Sequence, residues 1–286
     1  LRSHLMLLLL YVRRWITKNL FMNKNIYKNI LVILLAFTFS QSSHPYPPLY
    51  LITIPTSGVM PYGNYSLEGL LINQGGIVPK LSIGISQKLT LGVSWGIQNL
   101  IGDSRISFNK DYPEYHFKYR IFDEDLVKPA LVIGFDSQGR GQYRKVIDVQ
   151  NQEIFYRYQH KSFGYYIVAS KNYFFMGNLG LHIGLNKSLE SDDRDDDINL
   201  FFGIDKEINK SISFMLEYDA MLNDNNNGYD YEDLSIGKGI GYLNVGFRWL
   251  IVDNILVELN FNDIKRNQKI SQTAHREFKI IYSKKF

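Results

Sequence analysis

The sequence predicts an all-β chain, a transmembrane antiparallel up-and-down β-barrel of about 12 strands, on three observations. Apolar side chains recur at every second position through most of the chain after residue 60, which is the period of a strand with two unlike faces. The connections between these segments alternate between short and long, as turns and loops do at the two ends of an outer-membrane barrel. The second face carries many glycines (Gly84, Gly92, Gly96, Gly134, Gly180, Gly184, Gly203, Gly246) where a solvated sheet would carry Lys, Glu and Thr.

The amino-terminal part reads as a leader. Lys24 and Lys28 precede the apolar run Ile30 to Phe39, and small residues around Ser40 to Ser42 offer a cleavage point, so 22–40 is expected to be a signal peptide. Residues 1–21 then read as an upstream extension from a misassigned start. A run of ten apolar residues is too short to cross a bilayer, which takes about 20, and Arg13, Arg14, Lys18, Lys24 and Lys28 break up any longer helical anchor. Residues 1–40 carry six basic and no acidic side chains, so the formal charge of +4 belongs to the leader and the remainder is slightly acidic. Nothing in that balance points to a nucleic-acid partner. Cysteine is absent, which excludes disulfides, thiolate metal sites and a cysteine nucleophile. Residues 41–61, with Pro45-Tyr46-Pro47-Pro48, are expected to be a stiff periplasmic lead-in, and 62–286 the barrel.

Twelve segments alternate in order. Tyr65, Leu67 and Leu71 oppose Ser66 and Glu68; Leu81 to Ile85, Leu91 to Ile97, Tyr115 to Phe122 and Leu131 to Phe135 follow the same rule. Phe163 to Tyr173 is strand-like with both faces partly apolar, which leaves its phase open. Leu179 to Leu185, Ile198 to Ile204, Ile212 to Tyr218, Leu243 to Trp249 and Ile255 to Phe261 complete the series before the last strand. That strand, Phe278 to Phe286, puts Phe278, Ile280, Tyr282 and Phe286 on one face and ends on an aromatic residue. It resembles the closing strand of bacterial outer-membrane barrels, an ending that implies recognition by the barrel assembly machinery at Phe286. Tyr62, Trp95, Tyr119, Tyr173, Trp249 and Tyr282 lie near strand ends, where aromatic girdles meet outer-membrane lipid and lipopolysaccharide.

In the middle of the chain, Phe117-Lys118-Tyr119-Arg120-Ile121-Phe122-Asp123-Glu124, the stretch from Pro129 to Gly139, and Ile167-Val168-Ala169-Ser170-Lys171 carry a family likeness. This region, roughly residues 55 to 190, resembles the YjbH-like outer-membrane barrels associated with exopolysaccharide production. The resemblance implies a role near polysaccharide export or the cell surface, with no catalytic residue to carry over.

With one face inward, the lumen is expected to hold Lys118, Arg120, Arg248 and Lys279 against Glu68, Asp136, Asp205, Glu217, Asp219 and Glu258. Such charges either ring a narrow hydrophilic pore or neutralise one another in a filled interior. The acidic stretch Asp192, Asp193, Asp195, Asp196 and Asp197 offers oxygen ligands for Ca²⁺ but lacks the spacing of an EF-hand, so no metal site is firm. Arg140, Arg144, Tyr156 and Arg157 give the longest loop a basic, aromatic character suited to glycans or lipopolysaccharide phosphates. His116 and His182 face inward and His160 and His275 sit near loop ends. Ser94, Ser170 and Ser213 supply hydroxyls, but no spacing marks a catalytic pair. The expectation is therefore a non-enzymatic, porin-like or surface barrel in a bacterial outer membrane, without cofactor, linked to polysaccharide. An outer-membrane hydrolase acting on lipid or lipopolysaccharide and a soluble periplasmic β-protein are the alternatives.

Overall fold

The structure is a computed structural model that describes residues 47–72, 75–103, 105–148, 153–225, 231–232, 237–268 and 274–286. The expected extension at 1–21 and signal peptide at 22–40 lie outside the described residues.

In chain order the strands are β1 (Asn64–Ile72), β2 (Gly76–Gly84), β3 (Leu89–Ser94), β4 (Ile97–Gln98), β5 (Ser107–Phe108) and β6 (Glu114–Phe122). Then come β7 (Ala130–Asp136), β8 (Arg140–Asp148), β9 (Ile154–His160), β10 (Gly164–Phe174), β11 (Asn178–Lys187) and β12 (Asn199–Glu207). The last are β13 (Ile212–Asp219), β14 (Tyr231–Glu232), β15 (Tyr242–Val252), β16 (Ile255–Asn262) and β17 (His275–Lys285). Among them β1–β3, β6, β7, β10–β13 and β15–β17 form one antiparallel barrel of 12 strands. It closes because β1 pairs with β2 on one side and with β17 on the other, from Asn64↔Lys285 to Leu71↔Phe278. Closure leaves no barrel strand with an unpaired edge. Each of the 12 segments expected from the alternation overlaps one of these strands, although Trp95 to Ile97 run on beyond the end of β3.

Period-two burial follows the chemistry of each residue. Leu67, Leu91, Tyr119, Ile133, Ile167, Ile183, Phe202, Phe247, Leu259 and Ile280 are exposed on the outer surface, while Ser66, Thr90, Lys118, Asp136, Glu217, Arg248 and Lys279 are buried. The phase left open for Phe163 to Tyr173 is resolved with Tyr166, Val168 and Ser170 inward and Tyr165 and Ile167 outward. Tyr62, Tyr119, Tyr173, Trp249 and Tyr282 lie toward the end with the short turns. Trp95 is at the opposite end, donating from its indole to Lys110 O at 2.8 Å. Phe286 continues the closure beyond β17, its amide donating to Gly63 O at 2.8 Å and its ring stacking on Tyr65.

Two expectations need correction. The longest loop, which carries Arg140, Arg144, Tyr156 and Arg157, is itself largely strand: β8 and β9 pair as a hairpin, and β14 joins them in a separate three-stranded sheet. The lead-in expected over 41–61 is, where described, not outside the barrel. From Leu49 to Met60 it is almost entirely buried, and its partners are inward side chains of β3, β6, β7, β10, β13, β15 and β17. A segment gripped from strands all round the wall lies in the lumen.

Candidate functional site

The lumenal segment is a hairpin. Leu51 N donates to Ile54 O at 2.9 Å and Thr56 N to Leu49 O at 3.1 Å, so the chain reverses at Ile52 and Thr53. Neither residue is a turn former, and no local sequence preference favours a reversal there. What holds it is Glu217 on β13. Its carboxylate accepts from the amides of Ile52 (3.0 Å), Thr53 (2.9 Å) and Ile54 (3.2 Å) and from Thr53 Oγ1 at 2.6 Å. Asn244 on β15 donates to the same carboxylate at 2.8 Å. Hydrogen bonds to a buried ionised acceptor are among the stronger ones a fold can make.

The wall cations take the carbonyls of the same hairpin. Arg248 donates to Tyr50 O and Leu51 O at 2.9 Å each, Arg140 to Ile52 O at 3.1 Å, and Lys279 to Ile52 O at 3.3 Å. Lys118 reaches Leu49 O, and Arg120 donates to Ser57 O at 3.0 Å. Counter-charges stand behind them: Glu258 lies 2.7 Å from Arg248 and 3.1 Å from Lys279, with Glu68 at 3.9 Å from Lys279. Tyr50 donates to Asp136 at 2.6 Å, and the Lys80 ammonium sits 4.3 Å above its ring and 3.1 Å from Asp136.

Apolar contact completes the grip. Leu51, Ile52, Ile54 and Val59 pack with the inward-facing Val132, Tyr166, Val168, Phe201 and Met215. Space for them comes from glycine. A Cβ at Gly203 would stand 2.3 Å from Leu51 Cδ2 and 2.8 Å from Ile54 Cδ1.

The ten lumen charges expected from the alternation are thus all on the inner wall. Their arrangement matches neither a ring around an open channel nor simple mutual neutralisation. Most of them bind the backbone of residues 49–57 or support a group that does, and Asp136 holds the Tyr50 hydroxyl. Asp205 and Asp219 are the exceptions. Asp219 accepts from Asn199 at 2.7 Å, and Asp205 lies 2.7 Å from His182 Nε2. His182 Nδ1 is in turn 2.7 Å from Ser170 Oγ. That serine, histidine and carboxylate order is one a hydrolase would use, but Ser170 Oγ already accepts the Ser57 amide at 2.9 Å and is buried under the hairpin. The sequence missed Tyr50, Lys80, Glu277 and the hairpin itself. One signal was available: Val132, Phe201 and Met215 are apolar residues on a face that elsewhere carries many polar residues and glycines.

At the long-loop end, Arg157 does not face outward as expected of a glycan contact. It is buried and bound to both oxygens of Asp224 at 2.9 and 3.0 Å and to Asp193 at 2.5 Å, while Lys161 pairs with Asp193 at 2.7 Å. These bonds tie three long connections together. Burial alone would lower the Arg157 pKa, but Asp224 and Asp193 hold it above the usual arginine value. Arg140 points inward to Glu277 at 2.8 Å, and Arg144 bonds Gln142. Tyr156 remains exposed and stacks on Tyr143. The acidic stretch does not converge on a metal either. Asp195 accepts the Asn225 amide at 2.8 Å, Asp196 pairs with Lys187, and Asp192 and Asp197 are exposed. Among the described residues no three His, Asp or Glu side chains are placed to share a metal ion. Burial raises the Glu190 carboxyl to about 7 beside the Tyr158 amide, and burial lowers His160 to about 3.

Between this loop cap and the tip of the hairpin lies a cavity of about 250 Å³, floored by Tyr50, Ile52 and Thr53. Its walls bring together Lys80, Asp136, Arg140, Glu277, Tyr242 and Asn262, among others.

No family model matches the chain, and no curated protein sequence does. Among solved structures it is similar to a KdgM porin at 11% identity, covering 77% of this chain and 98% of that one, with a TM-score of 0.43. A NanC porin in a rhombohedral crystal form is similar at 10% identity over 78% of this chain and 99% of that one, with a TM-score of 0.40. The outer membrane channel DcaP of Acinetobacter baumannii is similar at 9% identity, over 78% and 96%, with a TM-score of 0.31.

Proposed function

We propose that this chain is a non-enzymatic bacterial outer-membrane β-barrel, porin-like in build, whose lumen is closed by its own residues 49–60. The membrane reading rests on the outer surface. Leu, Ile, Val, Phe, Tyr and Trp side chains are exposed on barrel strand after barrel strand, and no water-soluble surface keeps an apolar belt of that extent. The aromatic rims suit the lipid and lipopolysaccharide boundary. Closed pairing also satisfies the backbone that lipid cannot.

The observation that carries closure is the Glu217 carboxylate holding three consecutive amides of the hairpin while Arg248, Arg140 and Lys279 hold its carbonyls. A hydrolase is disfavoured because Ser57 N–H already occupies Ser170 Oγ. The link to exopolysaccharide is supported by the YjbH-like likeness of residues 117–124, 129–139 and 167–171. The test is conductance: the chain from residue 41, refolded in detergent and shown to be folded by a heat-modifiable gel band, is inserted in a planar bilayer. Expected is an intact barrel without steady single-channel steps. Steady, long-lived open steps from the unaltered chain would overturn the closed reading.

A further inference from the structure

We infer that the cavity above the hairpin is a binding site for a small neutral polyhydroxylated molecule, of monosaccharide to disaccharide size. The inference rests on the closed-barrel reading, since the hairpin is the floor of the site. Its volume, about 250 Å³, lies just below the usual range for small-molecule pockets and suits a compact ligand.

Charge decides the ligand class. Every lysine and arginine on the walls already faces a carboxylate: Lys80 with Asp136 at 3.1 Å, Arg140 with Glu277 at 2.8 Å, Lys161 with Asp193 at 2.7 Å, and Lys279 with Glu258 at 3.1 Å. Asp263 accepts the amides of Asn267 and Gln268, and Asp219 accepts from Asn199 and Met221. His160 is neutral at ordinary pH and shares a hydrogen bond with Gln268 at 2.8 Å. An anion entering here would meet no unmatched cation and would lose its hydration, whereas Glu68, Asp219 and Asp263 leave carboxylate oxygens that hydroxyl donors can reach.

What the walls do offer is neutral hydrogen bonding. Gln98, Gln159, Asn244 and Asn262 border the cavity with the rings of Tyr50 and Tyr242. Two of these groups are unsatisfied. Tyr242 is about nineteen-twentieths buried, with 5% of its surface exposed, and its hydroxyl has no partner among the described residues. Asn262 Oδ1 has none either. Buried polar atoms are nearly always paired, so an unpartnered hydroxyl and amide oxygen on two residues of the cavity lining point to a ligand whose hydroxyl groups would pair them. A sugar supplies both donors and acceptors there, and a C–H face for the tyrosine rings.

The experiment is calorimetric titration of the full barrel, refolded in a zwitterionic detergent that carries no sugar headgroup. The probes are glucose, N-acetylglucosamine and maltose, with galacturonate and inorganic phosphate as the charged comparisons. Expected is saturable binding of at least one neutral sugar at one site per chain, weakened about tenfold by Tyr242→Phe and unchanged by Tyr165→Phe on the outer surface of β10. The inference is overturned if folded barrel binds none of the neutral sugars, which leaves a water-filled cavity, or if it binds only galacturonate or phosphate. Sugar binding that Tyr242→Phe leaves unchanged places the site elsewhere and overturns it too. Conductance of the same sample keeps the two readings apart: a closed barrel that binds no sugar sinks this inference alone, and a conducting barrel sinks closure.

Discussion

Removing the carboxylate of Glu217 should release the lumenal hairpin. In Glu217→Ala the amides of Ile52, Thr53 and Ile54 and the hydroxyl of Thr53 lose their common acceptor, and all four are donors to one charged group. Each such bond is worth roughly 1.5–3 kcal/mol, but water entering the space left by the side chain recovers part of it. A net loss of about 3–5 kcal/mol is the usual cost of deleting one partner of a buried charged network. At about 1.4 kcal/mol per factor of ten, that raises the hairpin-out population by roughly two to three and a half powers of ten. Arg248, Arg140, Lys279 and Lys118 still hold the carbonyls, so the hairpin should exchange in and out rather than leave. Two measurements read this. In a planar bilayer the variant should show brief current steps that the unaltered chain lacks. Because the chain has no cysteine, a single Ser57→Cys reports access, and thiol labelling of the folded barrel should speed up in the Glu217→Ala background. Equal labelling rates and equal conductance in the two backgrounds, with the barrel intact on a gel, would refute the idea that Glu217 holds the hairpin.

Two further outcomes follow from the geometry. Gly203→Val should expel the hairpin without opening the sheet, because the new side chain takes the place of Leu51 and Ile54; the expected result is a heat-modifiable barrel that conducts, and a silent one would mean the hairpin repacks. The loop cap should loosen as pH rises. Burial raises Glu190 above its ordinary value of 4.5 to about 7, so the folded cap holds a proton that the opened one gives up between those values. The cap's stability is then highest at or below about pH 4.5 and is progressively lost as pH rises to about 7. Amide exchange at Tyr158 should be slower at pH 5 than at pH 8 after correction for intrinsic rates, and Glu190→Gln should flatten the difference.

The barrel was legible because its rule is local. A period of two, set by the pleat, is readable from Leu91, Val93 and Ile133 on one face or Lys118, Glu217 and Arg248 on the other, whatever their partners. Connection length likewise gave the two ends. The hairpin was not legible, because its turn has no local cause: Ile52 and Thr53 reverse only where Glu217, more than 160 residues away in sequence, receives their amides. Composition misled in the loops for the same reason. Arg157 and Asp193 look like exposed ligands for a glycan and a cation until the fold brings them together. Val132, Phe201 and Met215 were the visible trace of the hairpin, since a water-filled lumen gives such residues nothing to pack against.

The distance in sequence between the hairpin and its holders bears on how the molecule matures. Residues 49–57 precede β1, yet Arg248 and Lys279 lie 197 and 227 positions beyond the carbonyls to which they donate. Lys279 is on β17, the strand that seals the barrel against β1. The hairpin therefore cannot be fully seated until the final strand is in place. Contacts of such high sequence separation form late. A chain stalled before sealing would carry the apolar run from Leu49 to Ile54 unburied, a ready mark of an unfinished molecule, and sealing the wall would conceal that mark in the same step.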